Sequence, residues 1–214
     1  MNLADEYIIY DDVNYIKGGW INRNRIKING GSAVFGFSVS NVSQNRRINE
    51  HAICLGEEDR RSLIRKLECA YKKAPCYKET IELFTDVIMY NETNLAAFLA
   101  NCNRRTAEYL GISTKIYSTT ELQLDHTHGG QQRIIDICQE RGYSEYINAY
   151  GGKELYDKEV FAQNGISLSF LKMDGDIVYP QGKGEFIPGL SILDVMMYND
   201  LEEVRKLLER YTLE

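Results

Sequence analysis

No run in this chain approaches the roughly 20 consecutive apolar residues that a membrane-spanning helix needs. The opening Met1-Asn-Leu-Ala-Asp-Glu6 lacks the basic and apolar regions of a signal peptide. Five cysteines form no C-x-x-C pair, and their odd number argues against a full disulfide framework. These absences point to a cytoplasmic protein with free thiols. Cys102 and Cys138 also fall on apolar faces of expected helices, where a thiol behaves as a small hydrophobe. Three prolines, no low-complexity tract and no internal repeat offer no linker, so residues 1–214 are expected to form a single domain. P-loop, dinucleotide, G-x-S-x-G and H-E-x-x-H fingerprints are all missing.

The most telling absence is local. Residues 13–49 contain none of the chain's 31 acidic residues but six of its 25 basic ones: Lys17, Arg23, Arg25, Lys27, Arg46 and Arg47. The protein as a whole carries a formal net charge of −6, which argues against bulk nucleic-acid binding. A cationic island in an acidic protein concentrates positive potential where a small anion can dock. The same island holds the only Trp, Trp20, together with Asn22 and Asn24, so charge, amide groups and a flat ring lie close together in sequence. Anion recognition is the stronger reading; a solvated basic hairpin is the plainer one.

Hydrophobic patterning sets the expected architecture. A continuous apolar run at 7–10 stops at Asp11-Asp12 and reads as a buried parallel strand with carboxylates at its tip. Short β segments at 25–28 and 33–39 flank an Asn29-Gly30-Gly31 turn, a strong hairpin signal, within an antiparallel meander at about 21–55. Helical periodicity covers 57–73, 78–90, the stretch between Asn94 and Gly111, 131–141 and 153–163. Strands are expected at 114–117, 146–148 and 166–171, and two short helices open with Ser191-x-x-Asp194 and Asn199-x-x-Glu202, both resembling capping boxes. Alternation of strands and helices predicts an α/β fold with a mostly parallel sheet flanked by helices, a Rossmann-like three-layer arrangement. Strands ending near 10, 117 and 148 all stop at polar groups, so ligands are expected at that carboxyl edge of the sheet.

Asp11 and Asp12 fit a general base or a metal ligand, and equally a polar strand end paired with Lys17 or Arg23. Asp125-His126-Thr127-His128 tempts a zinc assignment. H-x-H without a third spaced ligand is weak, however, and no catalytic metal is expected there. Gly18-Gly19 and Gly151-Gly152 allow close backbone approach to a phosphate without matching any fingerprint. Gly151-Gly152 more simply turns the chain into the next helix. Tyr179-Pro-Gln181 and 186–191 flank a glycine-rich loop whose polar tips are placed to fold over a substrate, and Asp194 reads as a capping carboxylate.

Asp11-Asp12-Val13, Lys17-x-x-Trp20-x-Asn22-Arg23, Tyr146-x-Asn148, Leu155-Tyr156-Asp157, Tyr179-x-Gln181 and Leu190-Ser-Ile-x-Asp194 together resemble the WbqC-like family over essentially the whole chain. That resemblance implies a role in bacterial surface-glycan (O-antigen) biosynthesis. Such proteins usually open with a strand and a Gln-Pro-rich aromatic segment ahead of the position of Asn2. On that pattern, an upstream extension is expected to raise stability by pairing with 7–10. The combined expectation is a transferase acting on a nucleotide-activated amino sugar, by acyl or aminoacyl transfer. Lys17, Arg23 and Arg25 would hold phosphates, Trp20 would stack, and Asn22 and Asn148 would orient hydroxyls. Asp11 or Asp12 would accept the proton, and Gly151, Gly152, Tyr179 and Gln181 would line the site. The cofactor is left open; the expected partners are a nucleotide-sugar or other phosphate-bearing small molecule and other glycan-biosynthesis enzymes. The alternative is a non-catalytic module that presents a sugar or carrier intermediate to such enzymes.

Overall fold

The computed structural model describes residues 1–123, 127–175 and 177–214. In chain order, β1 (Glu6–Ile9), β2 (Arg23–Ile28), β3 (Gly31–Gly36), β4 (Ser38–Val39) and β5 (Ile53–Cys54) come first. Helices α1 (Glu57–Tyr71), α2 (Tyr77–Met89) and α3 (Leu95–Leu110) follow, then β6 (Lys115–Ser118), α4 (Thr119–Leu122), α5 (Gly130–Arg141) and β7 (Glu145–Ala149). The chain closes with α6 (Lys158–Gln163), β8 (Ser167–Met173), α7 (Ile192–Tyr198), α8 (Leu201–Leu208) and β9 (Tyr211–Leu213). Two compact units result: Met1–Ser118 with Val178–Leu207, and Thr119–Ile177 with Leu208–Glu214.

In the first unit β1 pairs with β6 in parallel, Tyr7 opposite Ile116. The hairpin β2–β3 turns at Asn29 and Gly30, with φ of 51° and 78°. Two consecutive left-handed residues are what a two-residue hairpin of this hand requires, which explains Asn-Gly there. One face of the hairpin enters the core: Ile26 is fully buried and packs with Phe35, Leu67, Phe84, Phe98 and Met197. Helices α1, α2 and α3 therefore bury their apolar stripes against the hairpin and each other. Asn94 caps α3 by accepting from the Ala97 N–H at 3.1 Å. The buried Arg60 secures the helices by donating to the carbonyls of Leu55, Ile88 and Tyr90. The N-terminus of α2 is joined to α7 by Cys76 N–H to Met197 O and Thr80 Oγ1 to Met196 O, both 3.0 Å.

In the second unit β7 and β8 run parallel and β9 adds an antiparallel edge. Rings of Tyr146, Tyr156 and Phe161 pack together, Tyr146 stacked on Phe161 at 5.7 Å between centroids.

The fold is thus mixed α/β, but the large parallel sheet is not shown. Pairing among the described residues falls into small separate sheets of two or three strands. The physical reason lies in the first three helices. Alternation of strand and helix predicts crossovers over a sheet, whereas α1–α3 cover an antiparallel hairpin instead. The antiparallel meander expected at 21–55 forms as two pairs, β2–β3 and β4–β5. The expected helix at 153–163 is also corrected. A 3-10 turn at Tyr150–Leu155 precedes an extended Tyr156, and Asp157 then caps α6 by accepting from Glu159 N–H at 2.8 Å. The second cap sits one residue later than its pattern and is not a box: Asp200 Oδ1 accepts from Glu203 N–H at 2.9 Å, while the Glu203 carboxylate pairs with Lys206.

Candidate functional site

Strand alternation puts Arg23, Arg25 and Lys27 on one face of β2, about 6.8 Å apart along the strand. The residues opposite them on β3 are Gly36, Val34 and Ser32, none of which bears a charge. Trp20 lies across the first two, its ring centroid 5.2 Å from the Arg23 guanidinium carbon and 5.6 Å from that of Arg25. Trp20 is 60% exposed, so part of its indole surface is accessible to a second planar group.

These cations are held by backbone carbonyls. Arg23 donates to Gly19 O at 2.8 Å and to Gly18 O. Arg25 donates from Nη2 to Gly189 O at 2.9 Å, and Lys27 from Nζ to Glu185 O at 2.8 Å. Among the described residues, no carboxylate lies within 4.0 Å of Lys17, Arg23, Arg25 or Lys27 to form an ion pair. Seven other basic side chains differ, Arg61, Arg65, Arg105, Lys153, Lys172, Lys206 and Arg210 being paired with carboxylates, whereas Arg60, Lys66 and Arg205 also donate to backbone carbonyls. A guanidinium has five N–H donors, so Arg23 and Arg25 keep donors for an incoming oxyanion.

Residues 179–190 form a strap over this face. Gln181 folds it by donating to Ile187 O at 2.9 Å and Tyr179 Oη at 3.1 Å, while accepting from Ile187 N–H at 2.8 Å. At the foot of the strap Ser191 N–H donates to Arg25 O at 2.8 Å. Beneath it, Asp194 is fully buried and accepts from Tyr71 Oη at 2.7 Å and Tyr179 Oη at 2.8 Å. Tyr71 Oη also accepts from the Lys27 N–H at 2.9 Å. Burial, followed by the Asp194 charge, pushes the Tyr71 hydroxyl far above the usual phenol range. Burial is also the largest cause of the upward shift at Tyr179. Both hydroxyls are therefore fixed as protonated donors at neutral pH. Asp194 is a network carboxylate rather than the expected cap. Ser191 caps α7 alone, its Oγ accepting from Leu193 N–H at 3.3 Å.

The remaining sequence candidates fall in different places. Asn22 has its amide committed: Oδ1 accepts from Tyr15 Oη at 2.8 Å and Nδ2 donates to Phe37 O at 2.5 Å. Asp11 and Asp12 are buried at the end of β1. Their segment runs against residues 46–49 through Asn49 N–H to Asp11 O (3.0 Å), Ile48 N–H to Val13 O (2.9 Å) and Tyr15 N–H to Arg46 O (2.9 Å). Neither Asp is among the polar contacts of Lys17, Arg23, Arg25 or Lys27. In the second unit, Asn148 Oδ1 accepts from Ala149 N–H at 2.7 Å, and a Cβ on Gly152 would lie 2.7 Å from Asn148 Nδ2. A side chain at 152 would therefore push the Asn148 amide aside, while Gly151 has open space around it.

Asp125 and His126 lie outside the described residues. His128 pairs through Nδ1 with Asp136 Oδ2 at 2.7 Å. No group of three His, Cys, Asp or Glu suited to a metal is assembled among the described residues. His51 is buried and structural: Nδ1 donates to Arg47 O at 2.7 Å, and Nε2 accepts from Ser43 N–H at 3.1 Å. An open groove between α2 and α3 shares no residue with the β2 face, and its one guanidinium, Arg105, is already paired with Asp86 and Glu108.

Lys27, Tyr71 and Asp194 are the members of this site that sequence reasoning passed over as functional. The period-two spacing of Arg23, Arg25 and Lys27 was a readable signal for the first. Tyr71 and Asp194 are 123 residues apart, and no local pattern joins them.

Among the described residues no helix is long and apolar enough to cross a membrane. A protein of Mycobacterium tuberculosis described as uncharacterized is 29% identical over 194 residues, covering 90% of this chain and 83% of that protein. No solved structure matches the chain. The model of the WbqC-like protein family matches residues 1–206, and the chain belongs to that family.

Proposed function

We propose that the β2 face with Trp20 is an anion site for the phosphates of a nucleotide-activated sugar. The protein in which it sits would act in surface-polysaccharide (O-antigen) biosynthesis in the cytoplasm. One observation carries this reading: three cations on one strand face, none with a carboxylate partner among the described residues, beside an exposed Trp ring. A diphosphate supplies the oxyanions that Arg23 and Arg25 lack, and a base or sugar ring supplies the surface that Trp20 leaves open. Lys17 is exposed on the loop before β2 and adds longer-range attraction. The reaction class is acyl or aminoacyl transfer to an amino sugar, with Asp11 or Asp12 accepting a proton from the attacking amine.

The second reading is a module that binds such a sugar without transforming it. It draws support from the strap, because Tyr71, Tyr179, Gln181 and Asp194 are all committed to one another. A thermal-shift panel of nucleotide sugars, coenzyme A and ATP identifies the ligand class, since a ligand that binds only the folded state raises apparent stability. Asp11→Asn and Asp12→Asn then separate the two readings. Loss of turnover with affinity kept marks the enzyme. Affinity without any turnover, in the parent and both variants, marks the module. No stabilisation by any phosphate-bearing compound would remove both.

A further inference from the structure

Lys27 is unusual for a lysine. The residue is 5% exposed, and among the described residues its ammonium has a single hydrogen-bond acceptor, the neutral Glu185 carbonyl. A buried ammonium without a counter-charge is costly, and an ammonium has three donors to satisfy. Asp194, reached through Tyr71 from the Lys27 backbone N–H and not from its ammonium, has its two oxygens engaged by Tyr71 and Tyr179. Arg25, two residues earlier on the same strand face, is engaged in the same way, by Gly189 O. The strap is thus attached to β2 by two cation-to-carbonyl bonds, and its Gly182, Gly184 and Gly189 all hold positive φ of 71°, 88° and 65°. A Cβ on Gly184 would meet nothing within 4 Å, so that glycine answers to backbone conformation and not to crowding.

We infer that Lys27 is the inner anchor of the anion site and that the strap is its stand-in ligand. A phosphate-bearing molecule takes Lys27 and Arg25 from the Glu185 and Gly189 carbonyls, and residues 182–190 lift. The inference rests on the proposed reading of the β2 face and extends it inward by one residue. An oxyanion adds a charge–charge attraction that a neutral carbonyl cannot offer a buried cation, which gives the exchange its direction. Because Lys27 is covered, no phosphate reaches it while Glu185 O stays in place. Binding must therefore include the cost of opening, and anything that loosens the strap improves apparent affinity.

The test uses the full chain with uridine diphosphate and inorganic pyrophosphate as probes. Affinity is read by calorimetry and strap opening by amide hydrogen exchange of the 182–190 peptide. Saturating probe should speed exchange in that peptide, opposite to the usual protection on binding. Lys27→Met and Lys27→Gln should each weaken binding at least tenfold. Gln181→Ala removes the clasp to Tyr179 and Ile187 without removing a cation, and should tighten binding a few-fold. If neither Lys27 variant folds, exchange in the parent and the Gln181→Ala affinity decide. Binding that needs Arg23 and Arg25 but is unchanged within twofold by the Lys27 variants, with strap exchange unchanged or slowed, overturns the inference alone. A parent protein that binds neither probe overturns the anion site and the inference together.

Discussion

Two basic regions of the first unit treat their charges in opposite ways. On the helices, Arg61 and Arg65 of α1 pair with Glu57 and Glu58, and Arg105 of α3 pairs with Asp86 and Glu108. On β2, Arg23, Arg25 and Lys27 have backbone carbonyls instead. A helix brings residues three and four apart together, as in Arg61–Glu57 and Arg105–Glu108, while Arg65 reaches Glu58 seven residues back and Arg105 reaches Asp86 on α2. A hairpin brings together residues opposite one another, and β3 offers Gly36, Val34 and Ser32. Those three helical guanidiniums are neutralised where they stand, while the buried Arg60 of α1 is held by carbonyls as a structural brace. The strand charges remain available.

The largest expected effect comes from cancelling that difference. Arg25→Ala should weaken uridine diphosphate binding by about 1.5–3 kcal/mol, the scale of hydrogen bonds to a charged group. Val34→Glu, which places a carboxylate opposite Arg25, should do the same by supplying an internal partner. Calorimetric titration of both proteins checks this, and affinities matching the parent would erase the distinction between strand and helix.

A smaller loss is expected from the network beneath the strap. Tyr71→Phe leaves Asp194 with one donor and the Lys27 N–H without its acceptor, and should cost about 1–2 kcal/mol of stability in urea titration. The same residue carries a pH signature. A phenol whose pKa is raised on folding binds its proton more tightly in the folded state, so its contribution is fully present below the unfolded value near 10 and is lost as pH climbs above it. The parent should lose stability above about pH 10, and Tyr71→Phe should lose less over that window. A parent curve that is flat from pH 9 to 12 would contradict this.

Smaller still is the effect of Arg61→Ala. With both partners exposed, the change should cost no more than about 0.2–0.5 kcal/mol and leave nucleotide affinity unaltered. The least stability-dependent contrast concerns the thiols. Burial pushes the Cys102 thiol up to about 12 and the Cys138 thiol up to about 11, whereas Cys54 and Cys69 are exposed. Because the thiolate is the reactive form, a neutral-pH thiol reagent should label Cys54 and Cys69 first and leave Cys102 and Cys138 for the unfolded protein. Mass mapping of the labelled peptides checks the order.

What the sequence made readable followed the range of the interactions involved. The Asn29-Gly30 hairpin, the Asn94 cap and the carboxylate-free window are local features, and each left a local mark. The parallel sheet was overread because strand–helix alternation does not say which surface a helix covers, and α1–α3 cover the β2–β3 hairpin. Asp194 was misread because Ser191-x-x-Asp194 has the spacing of a capping box. Only the distant Tyr71 and the strap's Tyr179 turn its carboxylate inward. The break at Asp157, by contrast, was available locally, since an Asp followed by Lys-Glu is a ready helix start.

Trp20 gives the central claim its most direct measurement. It is the only tryptophan in the chain, and both arginines of the candidate site lie against its ring. Titration with uridine diphosphate at low salt should change its fluorescence saturably, with the midpoint moving to higher ligand as salt is raised. The Arg23→Ala, Arg25→Ala double variant should show no saturable change over the same range. Fluorescence that ignores the ligand in the parent, or an identical isotherm in the double variant, would contradict an anion site on β2.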